Sequence, residues 1–365
     1  MKPRSRIWIA SAALILASCS AERPATQTGK PSPAESRALI ERSLPRGLAD
    51  RSGWVADMYG TFTALDIPPT KQNVCAVVAV TAQESGFQVD PVIPGLPAMA
   101  WREIDKRAAH ADVPVSVVHE VLKLDSPNGL SYADRIDHAR TEKELSDIFE
   151  DFTGSIPFGR SMFASLNPIR TRGPMQVNVA FAEQFSSTHQ YPYPVKISIP
   201  DELFTRRASL YFGTAHLLAY SPPYDRFLYR FADFNAGQFA SRNAAFQLAV
   251  GTASGSPITA DGALLPHDGG SRPGDTELAV RALAKRLDLS DGEIHGALEE
   301  GRRKEFERTA LYAGVFRLAE RSAGHPLPRA AIPRIKLEGP KLSRTLSTEW
   351  YATRVEGRFK ECLAR

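Results

Sequence analysis

The sequence predicts a mainly α-helical fold, and three observations carry the prediction. "TEKELSDIFEDFTG" (141–154) pairs Thr141 with Glu144 in a capping-box pattern and sets Leu145, Ile148, Phe149 and Phe152 on one face. Prolines stand where first turns begin: Pro114 within "DVPVSVVHEVLKLD" (112–125) and Pro174 ahead of "MQVNVAFAEQFS" (175–186). The long stretches "DELFTRRASLYFGTAHLLAYS" (201–221) and "DRFLYRFADFNAGQFASRNAAFQLAVG" (225–251) read as further helices, the second breaking at Gly237. No repeat of fixed period is present.

Taken in order, the chain opens on a targeting segment. Lys2, Arg4 and Arg6 form a basic start, and "IWIASAALILA" is an apolar core too short to span a bilayer as a mature helix. It ends in "LASC" (16–19), which resembles a bacterial lipobox: residues 1–18 would be removed and Cys19 lipidated. The alternative is an ordinary secretory signal with an incidental cysteine. Several acyl chains on one residue anchor stably where a single chain is marginal. Ser20 in place of an aspartate leans the lipoprotein reading to the periplasmic face of the outer membrane. Cys19 to residue 37 then forms a Pro-, Ser- and Thr-rich flexible tether.

"NVCAVVAVTAQES" (73–85) is a buried helix or a buried strand; its β-branched content favours strand and periodicity cannot arbitrate. Residues 251–275 hold six Gly and three Pro and read as a mobile loop. Residues 276–365 form a C-terminal helical extension of two or three helices, whose charge runs such as "EEGRRKEFER" are a solvated face, followed by forty Pro-punctuated residues without a clear assignment.

Composition excludes some functions. The chain has 45 Lys+Arg against 41 Asp+Glu. Without the three basic residues of the targeting segment the balance is 42 to 41, so nucleic-acid binding has no electrostatic support. His119-Glu120 begins a zinc-helix pattern, but Lys123 stands where the second histidine belongs, and the histidines show no ligand spacing; neither metal nor cofactor is expected. Cys75 and Cys362 either pair outside the cytoplasm or remain free thiols.

Three short stretches carry the chemistry: "QESGF" (83–87), "RGPMQVN" (172–178) and "FADFNAG" (231–237). In this order they resemble the lytic transglycosylases of the soluble-transglycosylase and goose-type lysozyme group, which carry Glu-Ser, Gly-Leu-Met-Gln and Ala-Tyr-Asn-Ala-Gly. Glu84-Ser85, Gly173, Met175-Gln176 and Asn235-Ala236-Gly237 match, while Pro174 replaces Leu and Phe234 replaces Tyr. The layout as a whole also resembles an uncharacterised family of bacterial lipoproteins of unknown function.

The transglycosylase resemblance implies a lysozyme-like helical core from 38–87 and 172–250, with 88–171 inserted as a helical subdomain. It implies that Glu84 protonates the bond between N-acetylmuramic acid and N-acetylglucosamine, then acts as base on the sugar's C6 hydroxyl, closing a 1,6-anhydro ring. A carboxyl ending an apolar helix suits proton donation, because desolvation and the helix's negative end both disfavour its charge. Ser85, Met175, Gln176, Phe234, Asn235 and Gly237 are the implied substrate-binding residues, and peptidoglycan glycan strands the implied partner, with membrane contact through the lipid on Cys19. Phe234 lacks the hydroxyl that contacts the glutamate in that group. Asp233 is expected to point away from the site. Two alternatives stand: a muramidase that uses water, and a lysozyme-like lipoprotein that binds wall or partner without cleaving.

Overall fold

The computed structural model describes residues 31–156, 166–266, 272–337 and 345–365. The targeting segment, Cys19 and most of the tether lie outside the described residues. The chain is mainly helical, as predicted, with only two short two-stranded ladders among the described residues. No helix in them is long and apolar enough to cross a membrane.

Among the described residues the helices gather around three apolar cores. The first joins α1 (Pro33–Ser43), α2 (Arg51–Ala64) and α3 (Lys71–Glu84) to α8 (Val179–Thr188), α10 (Arg206–Leu218), α11 (Phe227–Ala236) and the last helix, α17 (Thr348–Leu363). The inserted segment folds as α4 (Leu96–His110), α5 (Val115–Val121), α6 (Tyr132–His138) and α7 (Glu142–Gly154) around Leu96, Leu122, Tyr132, Ile136 and Ile148. A further core packs α12 (Ala240–Ser254) on α13 (Asp275–Arg281), α14 (Ala284–Leu287), α15 (Asp291–Glu299) and α16 (Ala310–Ala323).

The ambiguous segment 73–85 is helical. Thr70 caps α3, its hydroxyl accepting from the Asn73 N–H at 3.1 Å. Every residue from Val74 to Thr81 is buried, so the helix has no solvent stripe from which a period could be read. The helix penalty of a valine is a few tenths of a kcal/mol, whereas burying one gains about 1.5–3 kcal/mol; burial decides. α7 forms with the capping box the sequence shows, Thr141 and Glu144 bonding reciprocally.

Other elements depart from expectation. The first helix starts at Pro33, inside the expected tether, because Ser32 and Glu35 close a capping box. The helix expected over 112–125 is confined to Val115–Val121, with Pro114 at its cap. The helix expected over 175–186 begins only at Val179. Before it, strands Thr171–Arg172 and Val177–Asn178 pair across a tight turn in which Gly173 (φ +72°) and Gln176 (φ +47°) are left-handed, a conformation no helix contains. The stretch 201–221 is split into α9 (Ile199–Glu202) and α10 by Thr205, which caps the latter. Gly237 does break 225–251, at φ +108°.

Two domain expectations are also revised. Within the expected mobile loop, residues 260–264 are packed: Ala260 and Leu264 are buried, and the Gln247 side chain bonds Asp261, Ala263 and the Gly262 N–H. The C-terminal part is not one extension. α13 to α16 make their own core with α12, whereas α17 returns to the first core and packs on α3 and α11. Its buried residues Thr348, Tyr351, Ala352, Val355, Phe359 and Cys362 lie at i, i+3, i+4, i+7, i+11 and i+14, one helical face. Cys362 is disulfide-bonded to Cys75 of α3, with Cα atoms 5.5 Å apart.

Gly173 is fixed by packing as well as by backbone: a Cβ there would lie 2.1 Å from the Leu203 carbonyl oxygen and 2.7 Å from the Ser209 Cβ. Gly173→Ala combines a left-handed penalty of about 1–2 kcal/mol with overpacking of about 1–3 kcal/mol. Chemical denaturation is expected to show a loss of roughly 3 kcal/mol; a loss near zero would mean the 172–176 turn is not built this way.

Candidate functional site

Glu84 is the last residue of α3 and is half-buried. Its carboxyl oxygen Oε1 accepts a hydrogen bond from the hydroxyl of Tyr351 on α17. Tyr351 is buried, and its phenol is pushed well above its usual range by burial first and by the Glu84 charge second, so it remains a donor. One residue earlier, the Gln83 side-chain oxygen accepts from Arg358 Nε at 3.1 Å. Ser85 turns back on its own helix, its hydroxyl donating to the Thr81 carbonyl at 3.3 Å.

Asn235 reaches α17 as well. Its side-chain oxygen accepts from the Thr348 hydroxyl at 2.8 Å, and the residue is otherwise exposed. Thr348 and Tyr351 are three positions apart, which sets their Cβ atoms about 5–6 Å from each other on one face of a helix. Two stretches separated by some 150 residues of sequence are therefore brought to neighbouring points of α17. Tyr351 and Thr348 are not singled out by any sequence motif. The signal that could have found them is the three-to-four spacing of apolar positions running up to Cys362.

The turn after Asn235 has a buried frame. Asp233 is fully buried and accepts from the Ser241 N–H (2.7 Å), the Tyr220 hydroxyl (2.7 Å) and the Tyr224 hydroxyl. Burial raises its pKa. Asp233 joins α11 to α12 across Gly237, a structural role. Gly237 itself adopts a backbone conformation open to glycine, and its N–H closes α11 on the Asp233 carbonyl at 2.7 Å.

The middle stretch behaves differently. Met175 is completely buried; its N–H donates to the Ser209 hydroxyl at 2.9 Å and its sulfur fills the space above Gly213. It has no exposed surface with which to line a sugar site and acts as a floor. Gln176, half-buried, accepts from Thr171 Oγ1 at 2.8 Å and donates to Oε2 of Glu142, the first residue of α7, at 3.3 Å. Arg172, also buried, reaches Glu150 of α7 at 3.2 Å and lies over the Phe204 ring. Burial and the neighbouring Asp201 charge hold the Glu150 carboxyl above its usual range. The 172–176 turn is thus where the inserted subdomain is fastened to the first core.

Phe234 is buried, its ring 5.1 Å from that of His216, which also meets Phe181 at 4.4 Å. Among the described residues no group of His, Cys, Asp and Glu is arranged to hold a metal. His119, the start of the failed zinc pattern, pairs with Asp105 at 2.8 Å.

Residues 47–365 match the family described as "Protein of unknown function (DUF1615)". The chain belongs to that family. It is also similar to "Uncharacterized protein YaiW" of Escherichia coli (strain K12), 47% identical over 352 residues that cover 96% of each chain. No solved structure matches. The DUF1615 match therefore takes in Glu84, the 172–176 turn, Asn235 and α17 together.

Desolvation pushes His216 down to about 4 from its ordinary 6.5. Because the folded value is the lower one, the unfolded chain binds the proton first as pH falls. The stability His216 contributes is complete above about pH 6.5 and is lost as pH falls toward 4. Between pH 7 and pH 5 this is roughly 1–2 kcal/mol for a partly exposed ring. Urea unfolding of His216→Gln beside the unaltered protein should show a pH dependence smaller by that amount; equal slopes would place the ring in water.

Proposed function

We propose that this protein is a lipid-anchored enzyme that cleaves the glycan strands of peptidoglycan, with Glu84 as general acid and then base. The observation that supports the reading best is the placement of Glu84. A half-buried carboxyl ends a buried helix and is held by a buried phenol, Tyr351, three positions along α17 from Thr348, which bonds the exposed Asn235 side chain. The ordered likeness to lytic transglycosylases at Glu84-Ser85, Met175-Gln176 and Asn235-Ala236-Gly237 supports the choice of substrate class.

In this reading Glu84 gives its proton to the glycosidic oxygen as the bond from C1 of N-acetylmuramic acid breaks. The carboxylate then takes the proton of the attacking hydroxyl. If that hydroxyl is the sugar's own C6–OH, the product is a 1,6-anhydro end; if it is water, the product is a reducing end. The lipid on Cys19 and the following tether would hold the enzyme on the periplasmic side of the outer membrane, within reach of the wall. A second reading, a wall- or partner-binding lipoprotein without cleavage, is favoured by Met175 and Gln176, which serve packing and attachment of the insertion.

The test is mass spectrometry of muropeptides released from purified sacculi by the full-length protein in detergent, beside Glu84→Gln. Loss of a positioned general acid costs about 10²–10⁴-fold. Anhydro products from the unaltered protein, reduced by that factor in the variant, are expected. Reducing ends would make it a muramidase, and binding without products would leave the second reading.

A further inference from the structure

We infer that a groove on α16, away from the three stretches of the transglycosylase likeness, binds a stem peptide of peptidoglycan by its carboxylates, with Arg317 and Arg321 as the residues that hold them. The choice of a wall peptide rests on the reading above; the groove and its charge do not.

A cavity of about 660 Å³ is lined by α16 and by the segment 324–329 that follows it. That is the size of a small-ligand site. Tyr312 and Phe316, both buried, supply an aromatic floor, with their rings 4.8 Å apart.

The charges around this floor do not cancel. Two carboxylates line the groove, and each is already answered. Glu307 is paired with the buried Arg242 at 3.3 Å. Glu320 accepts from the Leu327 N–H at 3.0 Å and from Arg329 at 2.9 Å, and these donors hold its carboxyl below the usual range. Arg329 is fixed in turn, its guanidinium 3.8 Å from the centre of the Phe316 ring. Arg317 and Arg321 remain. Both are exposed, both line the cavity, and neither side chain has a hydrogen-bond or ion-pair partner among the described residues.

Helix stability does not account for this pair. Residues four positions apart share a face, with Cβ atoms about 5–6 Å from each other, and like charges so placed weaken a helix. Only Arg321 lies in the last turn, where the helix's negative end favours a cation. Two unanswered guanidiniums beside an aromatic floor suit a ligand that brings its own carboxylates and an apolar part.

Shape and charge select the occupant. A nucleic acid gains its affinity from many phosphate contacts, and two uncompensated arginines supply few. A bilayer surface is flat and does not enter a concavity. A short peptide with two or more carboxylates and small apolar side chains fits both the arginines, which meet carboxylates through paired N–H groups, and the floor. The stem peptides that branch from the glycan of peptidoglycan are chains of this kind.

The experiment is isothermal titration calorimetry, at low salt, of the full-length protein in detergent with the sugar-free stem tetrapeptide L-alanyl-γ-D-glutamyl-meso-diaminopimelyl-D-alanine. The expected result is saturable one-site binding that weakens roughly 10- to 100-fold in Arg317→Gln/Arg321→Gln, and as much when the peptide's carboxyls are amidated. Both arginines are exposed, so the melting temperature of the variant should be unchanged. Ala313→Trp, at an exposed position lining the groove, fills it and leaves the arginines in place; it should weaken binding to a similar degree. No saturable binding, or binding that survives either variant at full strength, overturns the inference. Equal binding of an all-L peptide of the same charge overturns the assignment to a wall stem. Peptide binding by a protein that cleaves no glycan overturns the cleaving reading alone and leaves this site standing, whereas cleavage without peptide binding overturns the inference alone.

Discussion

The seam between α3 and α17 is the constraint on which the candidate site depends. These helices lie near opposite ends of the folded chain, and Cys75 and Cys362 close a sequence separation of 287 residues. On the chain-entropy account a loop of that length destabilises the unfolded state by about 6 kcal/mol, slightly above the upper end of what disulfides deliver. The bond is buried in the first core, where Val355 and Phe359 of α17 pack among residues of α3 and α11. Covalent closure and apolar burial act on the same pair of helices, so the end of α3 that carries Glu84 cannot be described apart from the end of the chain.

A site assembled this way is made of sequence-distant parts held by one helix face. Glu84 and Asn235 both bond to α17, through Tyr351 and Thr348. The turn after Asn235 is kept in shape from below by Asp233 and its two tyrosines. The 172–176 turn is set by Gly173 against Leu203 and Ser209, and from it Arg172 and Gln176 reach Glu150 and Glu142 of the inserted subdomain. The three short stretches of the transglycosylase likeness thus play distinct physical parts. The first places a carboxyl at a helix end, the second anchors the insertion, and the third forms a glycine-dependent turn.

Much of this was legible in the sequence where a local rule applied. The capping box at Thr141 and Glu144 marks the start of α7, and Gly237 marks the break between α11 and α12. Glu84 at the end of an apolar run is a visible anomaly. What escapes a reading of the sequence is non-local. The Val-rich run of α3 hides its helical period because all of its faces are buried. Pro174 looks like a helix start, but the left-handed Gly173 and Gln176 beside it make a hairpin turn, which single-residue propensities do not reveal. Tyr351 reads as one more apolar position of an amphipathic helix; only the return of α17 to α3 gives its hydroxyl a carboxyl to meet. The two cysteines announce a possible link but not the face it brings together.

The central claim is that α17 holds the Glu84 and Asn235 stretches as one unit. Hydrogen exchange of the full-length protein beside a Cys75→Ala/Cys362→Ala variant tests it most directly. The account predicts faster exchange in both 81–87 and 233–237 when the link is removed, together with α17, since segments fastened to one element open with it. Faster exchange confined to the last few residues of the chain, with 81–87 and 233–237 unchanged, would contradict it.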